Sequence, residues 1–122
     1  MTKEDYIAHC ERAYGTSPDY PFEDLLDTAV LRHADNRKWY ALLMRLSPER
    51  LSKEGKEKLT VVNLKMPSEL WGSFGEADGV YPAYHMNKAH WVSVVLEEAS
   101  FETVALLTEA SYRATAKKKK PS

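Results

Sequence analysis

What this sequence lacks narrows its chemistry before any motif is read. A single cysteine, Cys10, excludes an internal disulfide and a multi-thiolate metal site, and suits a reducing cytoplasm. The longest run free of charge, Gly79 to Asn87, falls far short of the roughly 18 apolar residues of a membrane span. Met1-Thr2-Lys3-Glu4-Asp5 offers no apolar signal core. A cytoplasmic protein with no membrane partner is expected. Net charge is nearly absent, at −1, but it is unevenly placed. Lys117 to Lys120 hold four of the 17 basic residues, which leaves 13 against 18 acidic, a formal −5, on the rest. A DNA-binding domain usually carries a basic footprint, so a nucleic-acid contact here has to rest on a local patch, on that tail, or on both. P-loop, G-x-G-x-x-G and G-x-S-x-G motifs are missing, as are isolated carboxylate pairs. Neither an enzyme nor a cofactor is expected.

What is present is an ordinary globular composition, 43% hydrophobic and 29% charged over 122 residues, which fits one domain. Residues 1–116 read as that domain, 117–122 as a disordered basic tail, and the whole as a monomer. Thr2, followed by acids, caps a first helix that stops at Gly15. Apolar runs over Asp27–His33 and Lys38–Leu46, joined by Ala34-Asp35-Asn36-Arg37, predict a β-hairpin. Strands follow over Leu59–Met66 and His90–Glu97, with a short helix from Pro67 to Phe74 and irregular chain from Gly79 to Asn87. The connection from Ser47 to Lys58 can track a groove as a wing with its lysines, or can equally be a solvated loop, which alternating charges favour. Ser100 caps a last helix with Phe101, Val104, Leu107, Ser111 and Ala114 on one face. The fold class is therefore α+β: an antiparallel sheet with N- and C-terminal helices packed on one face.

Alternation along strands assigns Tyr40, Leu42, Met44 and Leu46 to the core, with Val62, Leu64 and Met66 and with Val92, Val94 and Leu96. The opposite parity holds Trp39, Ala41, Leu43 and Arg45, then Val61, Asn63 and Lys65, then Trp91, Ser93 and Val95. If the helices cover only one face, the other exposes two tryptophans beside an amide and cations. A β-bulge would invert this assignment locally.

The densest chemistry lies in Tyr81-Pro82-Ala83-Tyr84-His85-Met86-Asn87-Lys88-Ala89-His90-Trp91, which joins aromatic rings to hydrogen-bond donors without one acid. Rings beside donors suit a surface that holds a ligand. Trp39 and Trp91 can serve as stacking platforms, or can equally fill gaps beneath the loop. His85 and His90, five apart with no acid between, do not match a metal-binding helix, and no metal site is expected. Cys10 reads as a small core residue.

Tyr81-Pro82-Ala83-Tyr84-His85-Met86-Asn87-Lys88 with His90-Trp91 resembles the Y-P-G-Y-H-M-N-K-x-H-W signature of the MmcQ/YjbR-like family. Arg32-His33-Ala34-Asp35-Asn36-Arg37-Lys38-Trp39-Tyr40-Ala41, Asn63-Leu64-Lys65 and Ser111-Tyr112 resemble further segments of it. The resemblance implies a CyaY-like (frataxin-like) domain, sometimes described as carrying a double-wing DNA-binding motif. Carried over, its surface comprises Tyr84, His85, Asn87, Lys88, His90 and Trp91, with Arg32, Arg37, Lys38 and Trp39 across the hairpin; Lys65 joins them by strand parity. Ala83 stands where the signature has glycine. The first expectation is a non-enzymatic DNA-binding protein. The alternative is a small-anion or protein-interaction module with a pocket around Tyr84 to Lys88.

Overall fold

The computed structural model describes residues 1–25 and 27–116; the basic tail expected over 117–122 lies outside them. Helix α1 (Lys3–Tyr14) begins where Thr2 and Asp5 cap each other. The Thr2 hydroxyl accepts from the Asp5 amide, and the Asp5 carboxylate accepts from the Thr2 amide, both at 3.1 Å. The bond from the Thr2 backbone, reinforced by its hydroxyl, holds the Asp5 carboxyl below its ordinary pKa. Gly15, at φ 67°, closes the helix by donating to the Glu11 carbonyl. No helix among the described residues is long and apolar enough to cross a membrane.

Among the described residues, five antiparallel strands form one sheet: β1 (Ala29–Arg32), β2 (Trp39–Leu46), β3 (Leu59–Lys65), β4 (Val80–Pro82) and β5 (Trp91–Val95), in the order β1-β2-β3-β5-β4. A 3₁₀ turn (Pro48–Leu51) follows β2. Another (Ser68–Leu70) runs into the short helix α2 (Trp71–Phe74), and α3 (Phe101–Thr115) is the last element of the described residues. The segment expected to be irregular after Gly79 therefore contains the edge strand β4. Three residues ending in proline are too few for an alternating pattern, and an edge strand tolerates the missing N–H.

The helices cover one sheet face, as expected, but β2 does not keep a single parity. Leu31 pairs with Ala41 and Arg32 with Trp39, which leaves Tyr40 as an extra residue on β2. Tyr40, Ala41 and Leu43 all join the core that holds Tyr6, Cys10, Val104 and Leu107. Leu42, Met44 and Leu46, expected in that core, instead pack on the other face with Leu51, Val61 and Val95. Ser111 stabilises the bulge. Its hydroxyl accepts from the Lys65 amide at 2.9 Å and donates to the Tyr40 carbonyl at 2.5 Å, spanning a position where a ladder bond would otherwise lie. Ser111→Ala leaves both backbone groups without this partner and should cost about 2 kcal/mol. Urea denaturation midpoints at unchanged slope measure it, and a midpoint like that of the parent chain would show that the bridge is dispensable.

The buried stripe of α3 is Val104, Leu107, Thr108, Ser111 and Thr115. Phe101 and Ala114, expected on it, are exposed; Phe101 instead meets the His9 ring edge-on at 5.4 Å. The polar members of the stripe have partners, with Thr108 on the Tyr6 hydroxyl and Thr115 on His33 Nε2.

Candidate functional site

At one end of the face turned away from the helices, two cross-strand pairs lie side by side. Arg32 of β1 opposes Trp39 of β2, and Lys65 of β3 opposes Trp91 of β5. Leu64 pairs with Ala41, which sets Lys65 level with Tyr40 and one residue along from Trp39, so the four positions form a staggered row across neighbouring strands. Cation and indole alternate along it: Arg32, Trp39, Lys65, Trp91. The Arg32 guanidinium lies 5.6 Å from the centre of the Trp39 ring and pairs with Asp19 at 3.3 Å. Trp39 also receives Phe22 edge-on. Trp39 is thus partly a packing residue. Trp91 is half-buried, and no aromatic ring stacks on it among the described residues.

Beside the row lies the β1–β2 turn, where Arg37 and Lys38 are exposed. Arg37 adopts φ 64°, and the Asn36 side chain fixes the turn by accepting from the Lys38 amide and donating to the Thr115 carbonyl. His33, next to this turn, belongs to the core. It is 3% exposed and packs against Tyr112 and Tyr40, and burial pulls its pKa below the ordinary imidazole value.

The Tyr81–Trp91 segment is folded back over the sheet rather than extended from it. Asn63 and Ser93, expected on an open face, are fully buried beneath it. Asn63 Nδ2 donates to the Tyr84 carbonyl at 2.9 Å, Ser93 Oγ donates to Asn63 Oδ1 at 2.5 Å, and the Tyr84 amide donates to Ser93 Oγ at 2.9 Å. This closed triangle holds Tyr84 over the centre of the face. His85 follows at φ 56°, with its ring 3.9 Å from that of Tyr84. Ala83 is buried and is not among the positive-φ residues, so the glycine of the signature is not needed for backbone freedom. Asn87 is a turn former: its side chain accepts from the Ala89 amide and its carbonyl accepts from His90 and Trp91. His90 is exposed, while its carbonyl accepts from the Met66 amide.

Tyr84 lines two clefts. One, of about 340 Å³, is mainly apolar, with Phe22, Leu42, Met44, Leu46 and His85 in its walls. The other, of about 250 Å³, gathers Arg50, Ser52, Tyr81 and Lys88. Of the expected surface, Lys88 therefore shares a cleft with Arg50 and Ser52, which come from the connection of alternating charge and lie outside the expected surface. Nearby Lys53 is already committed, donating to Tyr81 Oη at 2.8 Å and to Glu98. Its bonds to Glu98 and then to Tyr81 raise its pKa. Burial pushes the Glu98 carboxyl up, but the bonds from Lys53 and Tyr81 outweigh it and leave the pKa lowered. Arg45 is also tied away from the row, to Thr60 and the Lys58 carbonyl. Among the described residues, no group of three or more His, Cys, Asp or Glu side chains could hold a metal ion. Desolvation pushes the buried Cys10 thiol up to about 11, the opposite of a reactive thiolate.

Comparison with known proteins places this architecture. The chain is 41% identical to the uncharacterized protein YyaQ of Bacillus subtilis (strain 168) over 116 residues, covering 94% of this chain and 98% of that one. A crystal structure of a Pseudomonas syringae protein superimposes with a TM-score of 0.90 at 41% identity, covering 95% of this chain and all (100%) of that one. A Deinococcus radiodurans protein with a DUF419 domain gives a TM-score of 0.66 at 25% identity, covering 96% of this chain and 80% of that one. The YjbR family model matches residues 12–114, and the chain belongs to the YjbR family.

Proposed function

We propose that this protein binds DNA, as a non-catalytic module, through the sheet end that carries Arg32, Trp39, Lys65 and Trp91. The observation that carries the reading is their alternation in one row across β1, β2, β3 and β5. Spaced cations meet a phosphate backbone, and an indole that no other ring stacks on can accept an unstacked base. Lys65, Arg37 and Lys38 supply charge; Trp91 supplies the platform. The row therefore favours a single-stranded or locally opened segment over an intact duplex.

Fluorescence anisotropy with labelled oligonucleotides at stepped salt tests this. Trp91→Ala should weaken single-strand binding by about 5- to 150-fold, the cost of losing one base–aromatic stack of about 1–3 kcal/mol, and leave the salt slope unchanged. Lys65→Ala should lower the slope by about 0.7, one phosphate contact. No binding at low salt would sink the reading. So would binding that survives both substitutions but disappears when Lys117 to Lys120 are changed to glutamine.

A second reading, a small-anion module, draws support from the cleft between Arg50 and Lys88. It predicts thermal stabilisation by at least one class of small anion. A melting temperature unmoved across sulfate, carboxylate and phosphate probes would count against it.

A further inference from the structure

We propose that the cleft shared by Arg50, Ser52, Tyr81, Tyr84 and Lys88 is a site for a phosphomonoester, an inference that rests on the small-anion reading above. The ion pairs found among the described residues are Arg32 with Asp19, Lys53 with Glu98 and Arg113 with Glu109, so Arg50 and Lys88 enter the cleft without a carboxylate partner. They come from unconnected segments, the 3₁₀ turn after β2 and the loop before β5. Both segments are anchored from beneath. Leu51, next to Arg50, is buried against the same cluster on which Tyr81 and Tyr84 pack, and Tyr84 is held by Asn63 and Ser93.

The chemistry of the lining selects the ligand class. A phosphomonoester carries close to two negative charges above its second pKa of about 6 and presents three acceptor oxygens. That matches two cations with many donors and the Ser52 hydroxyl. A phosphodiester or a carboxylate brings one charge and leaves one cation uncompensated. Tyr81 and Tyr84 add ring surface for whatever carries the phosphate. Lys53 does not compete for the ligand, because Glu98 and Tyr81 already hold it. Two sources present this group: a free small molecule, or the terminal phosphate of a nucleic-acid strand.

Titration calorimetry and amide chemical shifts on the full chain test the site with phenyl phosphate, phenyl sulfate and benzoate. Phenyl phosphate should bind at pH 8, move the resonances of residues 50–52 and 81–88, and weaken as pH falls through about 6. Phenyl sulfate, a monoanion of the same shape, should bind at least about tenfold more weakly. Arg50→Gln and Lys88→Gln should each cost about tenfold, and Arg113→Gln on α3 nothing. Equal binding of sulfate and phosphate, or shifts confined to residues 32–39, overturns the phosphomonoester assignment, although the broader small-anion reading survives. No binding by any probe overturns both. A 5′-phosphorylated oligodeoxynucleotide that outbinds its 5′-hydroxyl twin, with the advantage lost in Arg50→Gln, identifies the strand end as the source. Equal binding of the twins, with phenyl phosphate still bound, identifies the free molecule.

Discussion

Asn63→Ala should lower stability by about 3 kcal/mol and the melting temperature by roughly 10 °C, while weakening every ligand that uses the Tyr84 face. Asn63 is fully buried and works through both ends of its amide. Alanine strands the Tyr84 carbonyl and withdraws the acceptor of the Ser93 hydroxyl, and each buried group without a partner costs about 1–3 kcal/mol. The loss extends beyond stability, because these bonds attach the loop carrying Tyr84, His85 and Lys88 to the sheet. Ser93→Ala removes the other corner and should cost about as much. Since the two side chains act as one network, the double variant should lose less than the sum of the singles. Urea titration supplies the energies, and hydrogen exchange at the Tyr84 amide reports the local release. Strict additivity, or an Asn63→Ala midpoint within about 0.5 kcal/mol of the parent, would mean that the loop stays down without the triangle.

The parts legible in sequence are those encoded by neighbours. Thr2, Asp5 and Gly15 bound α1, Ser100 caps α3, and Asp35-Asn36 turns the hairpin; in each case cause and effect lie within a few residues. The parity of β2 breaks at Tyr40 because the bulge depends on Ser111, more than sixty residues away, which satisfies the groups that the extra residue displaces. Alternation puts Asn63 and Ser93 on the correct face but in the wrong environment. It says which way a side chain points, not that a later loop returns to cover it. The candidate surface divides in the same way. The signature residues identify the loop, yet Asn87 shapes its turn, and Lys88 shares its cleft with Arg50 from a connection of alternating charge. That juxtaposition exists only once β3 has paired with both β2 and β5.

Gly79→Ala should cost about 3–4 kcal/mol, whereas Gly72→Ala should stabilise by about 0.5–1 kcal/mol. Gly79 precedes the edge strand at φ 83°, where an L-residue carries a penalty of about 1–2 kcal/mol. A methyl group there would also sit 2.6 Å from the Ala99 amide nitrogen and 2.9 Å from its Cα. Those are backbone atoms of the turn leading into α3, and the Ala99 amide is already bonded to the Val95 carbonyl at 2.9 Å. The Gly79 carbonyl in turn accepts from the Val95 amide at 2.7 Å, so retreat of either chain breaks the contact that docks β4 on β5. Overpacking of this kind adds about 1–3 kcal/mol. Gly72 is the opposite case: an exposed helical position where an added methyl group would meet nothing within 4 Å. Because β4 leads directly into the Tyr84 loop, Gly79→Ala should lose phenyl phosphate binding together with stability, and Gly72→Ala should keep both. Thermal unfolding of the two variants in parallel decides it. If Gly79→Ala melts with the parent, the turn at Ala99 yields without loss, and β4 does not position the loop in the way these contacts require.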